Sequence, residues 1–286
     1  MLLSGKDLLG VANEHYFAIP AFNVSDYAMM KGIFEISEEK QSPVIIAIHP
    51  EELGHMGEGI LPSVLHWAHH ATVPVTVHLD HGTTYEHILQ GIKAGFNSAM
   101  IDGSLLSFED NVAISQRVVA AAHAVGLSVE GELGTIGKGD EEAEAGTSAV
   151  IYTNPDDAVR FAKETGVDSL AIAIGTFHGL YPKNIKPALK LDLLSDIKAR
   201  VSLPLVLHGG SNNPDEEIAE AVKRGINKIN ISSDIKVAYH DEMRKVLADP
   251  GVREPNTIQP PCIEAMKKVA AQKIDLFQAN GKASLY

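Results

Sequence analysis

Three His-Gly dipeptides are the residues best suited to chemistry in this sequence: His81-Gly82, His178-Gly179 and His208-Gly209. A chain with 13 His and 24 Gly among 286 residues is expected to contain about one by chance. Each dipeptide follows an apolar run that predicts a strand. Imidazole nitrogens are common zinc ligands, and three of them with an open fourth position form a catalytic site. A lone strand-end histidine is often structural, but three with the same neighbour predict one shared metal ion.

Acidic residues occur at the neighbouring strand ends. Asp80 directly precedes His81, Asp102 follows the fourth predicted strand, and Glu130 and Glu132 lie on the fifth. Buried carboxylates are costly unless they bind cations or hydrogen-bond donors. Asp80 is placed for general acid/base work beside a metal-bound substrate. The alternative role for Asp80 is to orient one of the histidines.

Two segments rich in Gly, Ser and Asn predict an anion site. Gly209-Gly210-Ser211 follows the seventh predicted strand, and Asn230-Ile231-Ser232-Ser233 follows the eighth. Each segment leads into a predicted helix, and backbone amides at a helix N-terminus favour anions. The loops after strands seven and eight are the recurrent phosphate site of (β/α)₈ barrels.

Short apolar runs alternate with helical patterns along the whole chain, as βαβ units require. Eight strands are predicted: Phe17–Phe22, Val44–Ile48, Val73–Leu79, Ser98–Ile101, Ser128–Glu132, Ser169–Ile174, Leu205–Leu207 and Lys228–Ile231. The alternation predicts a single α/β domain over residues 1–286, a (β/α)₈ TIM barrel with a C-terminal helical extension from about residue 250. An open parallel sheet is the alternative.

The clearest predicted helices are Asp26–Lys40, Ser107–Val125, Asp156–Thr165 and Asp215–Arg224. Ser25, Asn154 and Asn213 are the predicted capping residues at helix starts.

Two segments exceed a minimal barrel. Gly134–Val150 is a Gly-rich acidic stretch, expected to be either a solvated loop or a lid over the site. The extension ends in a predicted helix, Ile263–Phe277, which is expected to pack on a neighbouring subunit.

Composition limits the function classes. Hydrophobic residues make up 45% and charged residues 21% of the chain, as in ordinary globular proteins. The net charge of −13 argues against nucleic acid and anionic membranes as partners. One cysteine, Cys262, permits no internal disulfide, and no apolar run has the length of a membrane span. A cytoplasmic protein is therefore predicted.

Several of these segments together resemble the class II, metal-dependent ketose-bisphosphate aldolases, and within them the bacterial fructose/tagatose-bisphosphate enzymes. The resemblance covers about residues 5–245 and is carried by seven segments in order: AFNV (21–24), HLDHGTT (78–84), AGFNSAMIDGS (94–104), VEGELG (129–134), AIGTFHGLY (171–181), LVLHGGS (205–211) and KINISSD (228–234).

The resemblance implies a metal-dependent mechanism. His81, His178 and His208 would hold a catalytic Zn²⁺ that stabilises the charge developing as the C3–C4 bond breaks. Asp102 and Glu132 match positions for a second or displaced metal ion. Asp80 would be the acid/base that serves the C4 hydroxyl.

It also implies a substrate and partners. The reaction would be reversible cleavage of tagatose or fructose 1,6-bisphosphate to dihydroxyacetone phosphate and an aldehyde such as glyceraldehyde 3-phosphate. The matching substrate contacts are Asn23, Gly179, Gly209, Gly210, Ser211, Asn230, Ile231, Ser232 and Ser233. The family also uses a monovalent cation (Na⁺ or K⁺) near the phosphate, assembles as a homodimer or homotetramer, and in some cases needs a separate stabilising subunit.

The chain departs from the family at three places. The loop acid that protonates C3 falls at Asp140 by counting, and Glu141 is the alternative for this role. The stretch Ile258–Cys262 lacks the Arg that often reads the distal phosphate. A ketose 1-phosphate substrate therefore stays open, and Lys183, Arg253 and Lys282 are candidate distal cations. His49 stands where small residues are usual.

Other functions fit the sequence less well. Lys228, placed to face the barrel interior, would form an imine in a metal-free aldolase, although pairing with Asp102 or a Glu is the preferred interpretation. Metal-dependent hydrolysis is disfavoured because no His-x-His is present. A non-catalytic subunit would lack metal ligands. The segment His66–His70 is predicted to be a helix surface, and Cys262 a packed thiol.

Overall fold

The computed structural model describes residues 1–57, 59–143, 145–147, 150–181 and 187–286. Ten strands occur in this part of the chain: β1 (Ile19–Asn23), β2 (Val44–Ile48), β3 (Val75–Gly82), β4 (Ser98–Ile101), β5 (Ser128–Leu133), β6 (Gly137–Lys138), β7 (Ser169–Ile172), β8 (Phe177–His178), β9 (Leu205–Leu207) and β10 (Ile226–Ile231).

The same residues contain eleven α-helices: α1 (Gly5–His15), α2 (Tyr27–Glu39), α3 (Pro50–Met56), α4 (Ile60–His70), α5 (Tyr85–Ala94), α6 (Phe108–His123), α7 (Pro155–Thr165), α8 (Leu191–Arg200), α9 (Asp215–Lys223), α10 (Ser233–Val246) and α11 (Pro255–Leu276). A 3₁₀ turn, Lys282–Leu285, follows. None of the described helices has both the length and the apolar character needed to cross a bilayer.

Eight strands, all except β6 and β8, close into a parallel barrel. The first and last of them meet, since Ala21 of β1 is in register with Asn230 of β10. The predicted (β/α)₈ barrel is confirmed, and the open-sheet alternative is wrong. Strands β2, β4 and β9 match their predicted bounds, while the others differ by one to three residues at an end.

Successive side chains of a strand point to opposite faces, so each barrel strand contributes both to the core beneath the helices and to the barrel interior. Val77 and Leu79 of β3 belong to the apolar core beneath the helices. The intervening His78 points the other way and meets Lys228 of β10, a strand that does not neighbour β3. The barrel interior is therefore largely polar, and the candidate site residues lie at the carboxyl end of its strands.

Two predicted helix caps are wrong. At α2, the Asp26 side chain accepts the hydrogen bond from Met29 N, and the Ser25 hydroxyl has no described partner. At α9, Asn213 donates instead to the carbonyls of Gly209 and Ser211, so it stabilises the loop after β9. Asn154 caps α7 as predicted. Adjacent polar residues compete for the cap position, and sequence alone does not decide between them.

The C-terminal extension packs on its own barrel. Helix α11 lies against α10 and α2, where Lys267 pairs with Glu39 at 2.6 Å. The helix begins at Pro255 rather than at the predicted Ile263. Pro260 and Pro261 are accommodated inside it, because the carbonyls they leave without donors belong to exposed residues that water can reach.

The long segment after β5 is folded back rather than simply solvated. Thr135 and Ile151 exchange backbone hydrogen bonds of 2.9 and 3.2 Å. The two residues of β6 pair in parallel with β8, which contains His178. Gly139 N then donates to the His178 carbonyl at 2.7 Å. The segment is thus tied directly to one of the candidate metal ligands.

Candidate active site at the carboxyl end of the barrel

The three histidines of the His-Gly dipeptides converge. His81 lies in β3, His178 in β8, and His208 directly follows β9. One ring nitrogen from each lies within 4.8 Å of the others. Their ring centroids are separated by 4.6 to 6.0 Å. These described residues therefore form a histidine-rich site of a size that could hold one metal ion.

Two ring nitrogens in this cluster are left for a ligand. His81 uses Nδ1 to bond Asp102 at 3.1 Å, and His208 uses Nε2 to bond Glu130 at 2.8 Å. The opposite nitrogens, His81 Nε2 and His208 Nδ1, are buried without a described hydrogen-bond partner. Buried polar atoms are rarely unsatisfied in folded proteins. A cation bound between the rings would satisfy both, so the residues present fit a metal ion.

The charge around the cluster favours a cation. Burial alone would lower the pKa of His81, but Asp80, Asp102 and Glu132 raise it to about 10. Burial and the adjacent His81 instead hold the pKa of His178 well below its usual range, which leaves a neutral imidazole. The carboxylates around the cluster therefore favour a cation, and a metal ion would take the place of the proton on His81.

A second candidate set shares His81. One ligand atom each of His81, Asp102 and Glu132 lies within 4.8 Å of the others. Burial and the charge of Asp102 raise the pKa of Glu132 well above its usual range, and its Oε2 has no described partner. These positions lie where the sequence predicts a second or displaced metal ion.

Asp80 is clamped by two amides from the first and last strands. Asn23 Nδ2 donates to Oδ2 at 2.8 Å, and Asn230 Nδ2 contacts both carboxylate oxygens at 3.0 and 3.1 Å. Asp80 is only 1% exposed. Burial would raise the pKa of Asp80, but His81, His208 and Lys228 hold it well below its usual range. The carboxylate is thus charged and fixed in orientation.

A small polar cavity opens beside these groups. Ten residues line it, and all are among the predicted site residues: Asn23, Asp80, His81, His178, Gly179, Gly209, Ser211, Asn230, Ser232 and Ser233. Gly210 and Ile231 do not line it. The Gly210 amide already donates to the Asn230 carbonyl at 3.0 Å, and the Ile231 side chain lies in the core.

Glycine is required at the cavity wall for steric reasons. Gly209 has a φ of 62°, and a Cβ there would collide with the Phe177 backbone. The turn at the third strand is different, because His81 and not Gly82 has the left-handed φ, of 48°. A Cβ on Gly82 would meet Ile88 and the Met100 carbonyl, so Gly82 permits close packing.

The sequence family follows from a direct match. A family model described as "Fructose-bisphosphate aldolase class-II" matches residues 3–282. The chain belongs to the class II fructose-bisphosphate aldolase family. It is therefore an aldehyde-lyase, and the predicted family and enzyme class are confirmed.

Individual relatives agree with this family. A fructose-bisphosphate aldolase from Thermus caldophilus is 36% identical over 305 residues, covering 99% of this chain and 100% of the relative. The D-tagatose-1,6-bisphosphate aldolase subunit GatY from Klebsiella oxytoca is 36% identical over 283 residues, covering 98% and 99%.

Solved structures agree as well. The YdjI aldolase from Escherichia coli K12 has a TM-score of 0.86 at 33% identity, covering 99% of this chain and 100% of that one. A fructose-bisphosphate aldolase from Campylobacter jejuni, 23% identical with a TM-score of 0.80 over 98% and 96% of the chains, matches in fold.

Within this aldolase, the loop carboxylates lie at the rim of the site. Asp140 Oδ2 accepts a hydrogen bond from Leu180 N at 2.9 Å, and Oδ1 is buried against Gly179 without a described partner. Glu141 lines the wide cleft that continues outward from His178. Asp140 lines the same cleft, and its carboxylate also lies against Gly179 at the cavity.

Of the described candidate cations for a distal phosphate, neither Lys282 nor Arg253 lines the cavity. Lys282 packs over the ring of Phe17, just before β1 and hence at the opposite end of the barrel. Arg253 is exposed and pairs with Glu254. Lys183 falls outside the described residues. His49 caps α3 through its Nδ1 and lies with its ring centroid 5.9 Å from that of His81.

Sequence reasoning left the partner of Glu130 open. Its carboxylate bonds His208 and pairs with Lys228 at 2.7 Å. The preferred interpretation of Lys228, pairing with an acidic residue, therefore describes the structure, with Glu130 as the partner. The alternation of side chains along β5 and β10 is consistent with Glu130 and Lys228 both facing the barrel interior. Alternation alone does not give the register between two non-adjacent strands.

Proposed function

We propose that this aldolase reversibly cleaves a ketose 1,6-bisphosphate, tagatose or fructose, to dihydroxyacetone phosphate and an aldehyde such as glyceraldehyde 3-phosphate. The observation that carries the proposal is the convergence of three strand-end imidazoles beside the clamped Asp80. The bisphosphate is preferred over a ketose 1-phosphate because both curated relatives are named as bisphosphate aldolases.

A zinc ion would be held by His81, His178 and His208, through Nε2 of the first and Nδ1 of the last. When bound, it supplies Lewis-acid stabilisation of the negative charge that develops as the C3–C4 bond breaks. Asp102 and Glu132, with His81, would hold a second or displaced ion.

Asp80 would take the proton from the C4 hydroxyl. Its charge is maintained by the neighbouring histidines and Lys228, and its orientation by Asn23 and Asn230. A base held in one orientation within reach of its proton is the requirement for efficient general base catalysis.

The dihydroxyacetone phosphate end would lie against Gly179, Gly209, Ser211 and the start of α10 at Ser232-Ser233. Hydroxyls and helix-terminal amides are suited to a phosphate. We also propose that Na⁺ or K⁺ binds near this phosphate. The proton for C3 of the departing carbanion would come from Asp140.

The family supports an assembly of subunits. The Klebsiella oxytoca relative is itself named as a subunit. We propose that the chain forms a homodimer or homotetramer in the cytoplasm, and that a requirement for a separate stabilising subunit would show as loss of activity in the purified protein. Light scattering on the purified protein measures the assembly.

One assay series tests the activity and the metal together. Cleavage of fructose 1,6-bisphosphate, tagatose 1,6-bisphosphate and their monophosphates is measured before chelation, after chelation and after Zn²⁺ return. We expect cleavage of a bisphosphate that is lost with the metal and restored with it. Activity that survives a strong chelator and is trapped by borohydride would instead support imine chemistry at Lys228. Faster cleavage of a 1-phosphate would overturn the bisphosphate assignment.

A further inference from the structure

A buried ion pair between Glu130 and Lys228 contacts one of the three histidines, and the proposed roles leave Glu130 without a part. Glu130 Oε1 accepts the hydrogen bond from His208 Nε2 at 2.8 Å, while Glu130 Oε2 pairs with Lys228 Nζ at 2.7 Å. The side chains of Glu130 and Lys228 are 2% and 1% exposed. The pair joins β5, β10 and the end of β9 across the barrel interior.

The contacts continue toward the amino end of the barrel. Lys228 Nζ lies 3.4 Å from His78 Nε2, and His78 Nδ1 lies 2.7 Å from Ser98 Oγ. Because an ammonium group only donates, His78 Nε2 is an acceptor here and its Nδ1 carries the proton. Both carboxylate oxygens of Glu130 are thus occupied, and neither is free to turn toward the cavity.

We propose that Glu130, held by Lys228, is a positioning residue that fixes the tautomer and orientation of His208. The inference rests on the proposed function, since the atom it directs into the site is the one offered to zinc. With the proton on Nε2 engaged by Glu130, His208 presents a lone pair at Nδ1, the buried nitrogen that has no described partner. Carboxylate partners of this kind are worth about 10- to 100-fold in metal affinity.

Lys228 has a separate task in this arrangement. A buried carboxylate with a single hydrogen bond is strongly destabilising, whereas a buried pair replaced on both sides by apolar groups of similar volume is often neutral. Lys228 therefore holds the Glu130 carboxylate in place, and we expect the fold to tolerate replacement of both partners better than replacement of one. Stability and metal affinity are expected to separate when both partners are replaced.

The test compares zinc affinity with fold stability. Zinc affinity is measured by competition with a chromophoric chelator, and stability by thermal unfolding of the metal-free protein. The variants are Glu130→Gln and the double replacement Glu130→Met with Lys228→Met. Lys267→Met is the matched control, because Lys267 is also a buried lysine paired with a glutamate but lies between α11 and α2.

We expect Glu130→Gln and the double variant to weaken zinc binding by about 10- to 100-fold, with the double variant keeping wild-type thermal stability. Lys267→Met should lower stability and leave zinc affinity unchanged. In ¹⁵N spectra of histidine-labelled metal-free protein, His208 should be protonated only at Nε2 in the wild type and at either nitrogen in the double variant.

Wild-type zinc affinity in both Glu130 variants would overturn the positioning role while leaving the proposed function intact. An equal loss of affinity in Lys267→Met would also overturn it, since the effect would then follow general destabilisation. A wild-type protein that takes up no zinc would overturn the proposed function and this inference together.

Discussion

At the scale of single residues, the site works by holding charges in fixed orientations. Asp80 has two amide donors and no freedom to rotate, and its charge is balanced by the histidines around it. A carboxylate left so deep without these partners would be neutral. Asn23 and Asn230 therefore hold Asp80 in addition to the substrate contacts proposed for them, a role that the sequence did not predict.

Replacing Asp80 by Asn should lower kcat by about 100-fold or more, because an amide of the same shape cannot accept the C4 proton. Zinc content should stay at the wild-type level. The measurement is steady-state cleavage of the preferred bisphosphate with metal analysis of the same sample.

Asp168→Asn is the matched control for Asp80→Asn. Asp168 is also a buried carboxylate, but it precedes β7 at the other end of the barrel and accepts from Val129 N at 2.9 Å. Its loss should reduce thermal stability and spare kcat. Equal kcat losses in the two variants would refute the assignment of Asp80.

At the scale of elements, the short pairing of β6 with β8 is the link between the loop after β5 and the metal site. It places the Asp140 segment against His178 and lets Asp140 accept from the Leu180 amide. The loop is thus joined to the same strand that carries His178, a proposed metal ligand. Movement of one requires adjustment of the other.

Gly137→Ala should disturb the metal site from this loop. A Cβ at Gly137 would overlap the Phe177 ring, which directly precedes His178. We expect weaker zinc binding and lower kcat. Gly10→Ala on α1, where a Cβ meets nothing within 4 Å, is the control and should leave both unchanged. Unaltered zinc binding in Gly137→Ala would show that β6 does not position His178.

The two loop carboxylates should differ when each is neutralised. Asp140→Asn is expected to lower kcat more than Glu141→Gln, because Asp140 is the one that lies against Gly179 at the cavity. The measurements are kcat and the exchange of the dihydroxyacetone phosphate proton on the carbon that becomes C3 of the ketose. The reverse order of losses would assign the proton to Glu141.

At the scale of the whole molecule, closure of the barrel brings together side chains from β1, β3, β5, β9 and β10. A ligand that binds only this closed state stabilises the entire fold. The metal site and the global stability are thus coupled, although the histidines themselves make up a small part of the core.

Zinc should therefore raise the unfolding temperature. A free zinc concentration of about 100 times Kd contributes about 2.7 kcal/mol, or roughly 5 °C for a chain of this size. Differential scanning calorimetry with and without Zn²⁺ measures the shift. His208→Ala should remove it, and a full shift in that variant would place the metal elsewhere.

Much of this architecture could be predicted from the sequence. Apolar runs of three to seven residues identified the eight barrel strands, and the His-Gly and Asn-Ile-Ser motifs of four of them supplied most of the cavity residues. These signals are local, and parallel strands buried on both faces have a strong pattern. The proline-containing start of α11 was missed because proline usually marks a helix end, whereas here the groups it leaves unbonded face water.

Interactions across the barrel could not be read in the same way. The amide clamp on Asp80 and the bonding of Glu130 to Lys228 depend on which residues of distant strands lie at the same level along the barrel axis. That level is set by the stagger of the strands in the closed barrel, and the sequence of a single strand does not specify it. The competition between Ser25 and Asp26 for one helix cap is a smaller case of the same limit.

The amides that clamp Asp80 come from the first and last barrel strands, and this has a consequence for folding. Asn23 of β1 can reach Asp80 of β3 without β10, but Asn230 cannot until β10 has docked on β1, the contact of greatest sequence separation in the ring. Long-range parallel pairing of this kind forms slowly. Full orientation of the base therefore requires the closed barrel.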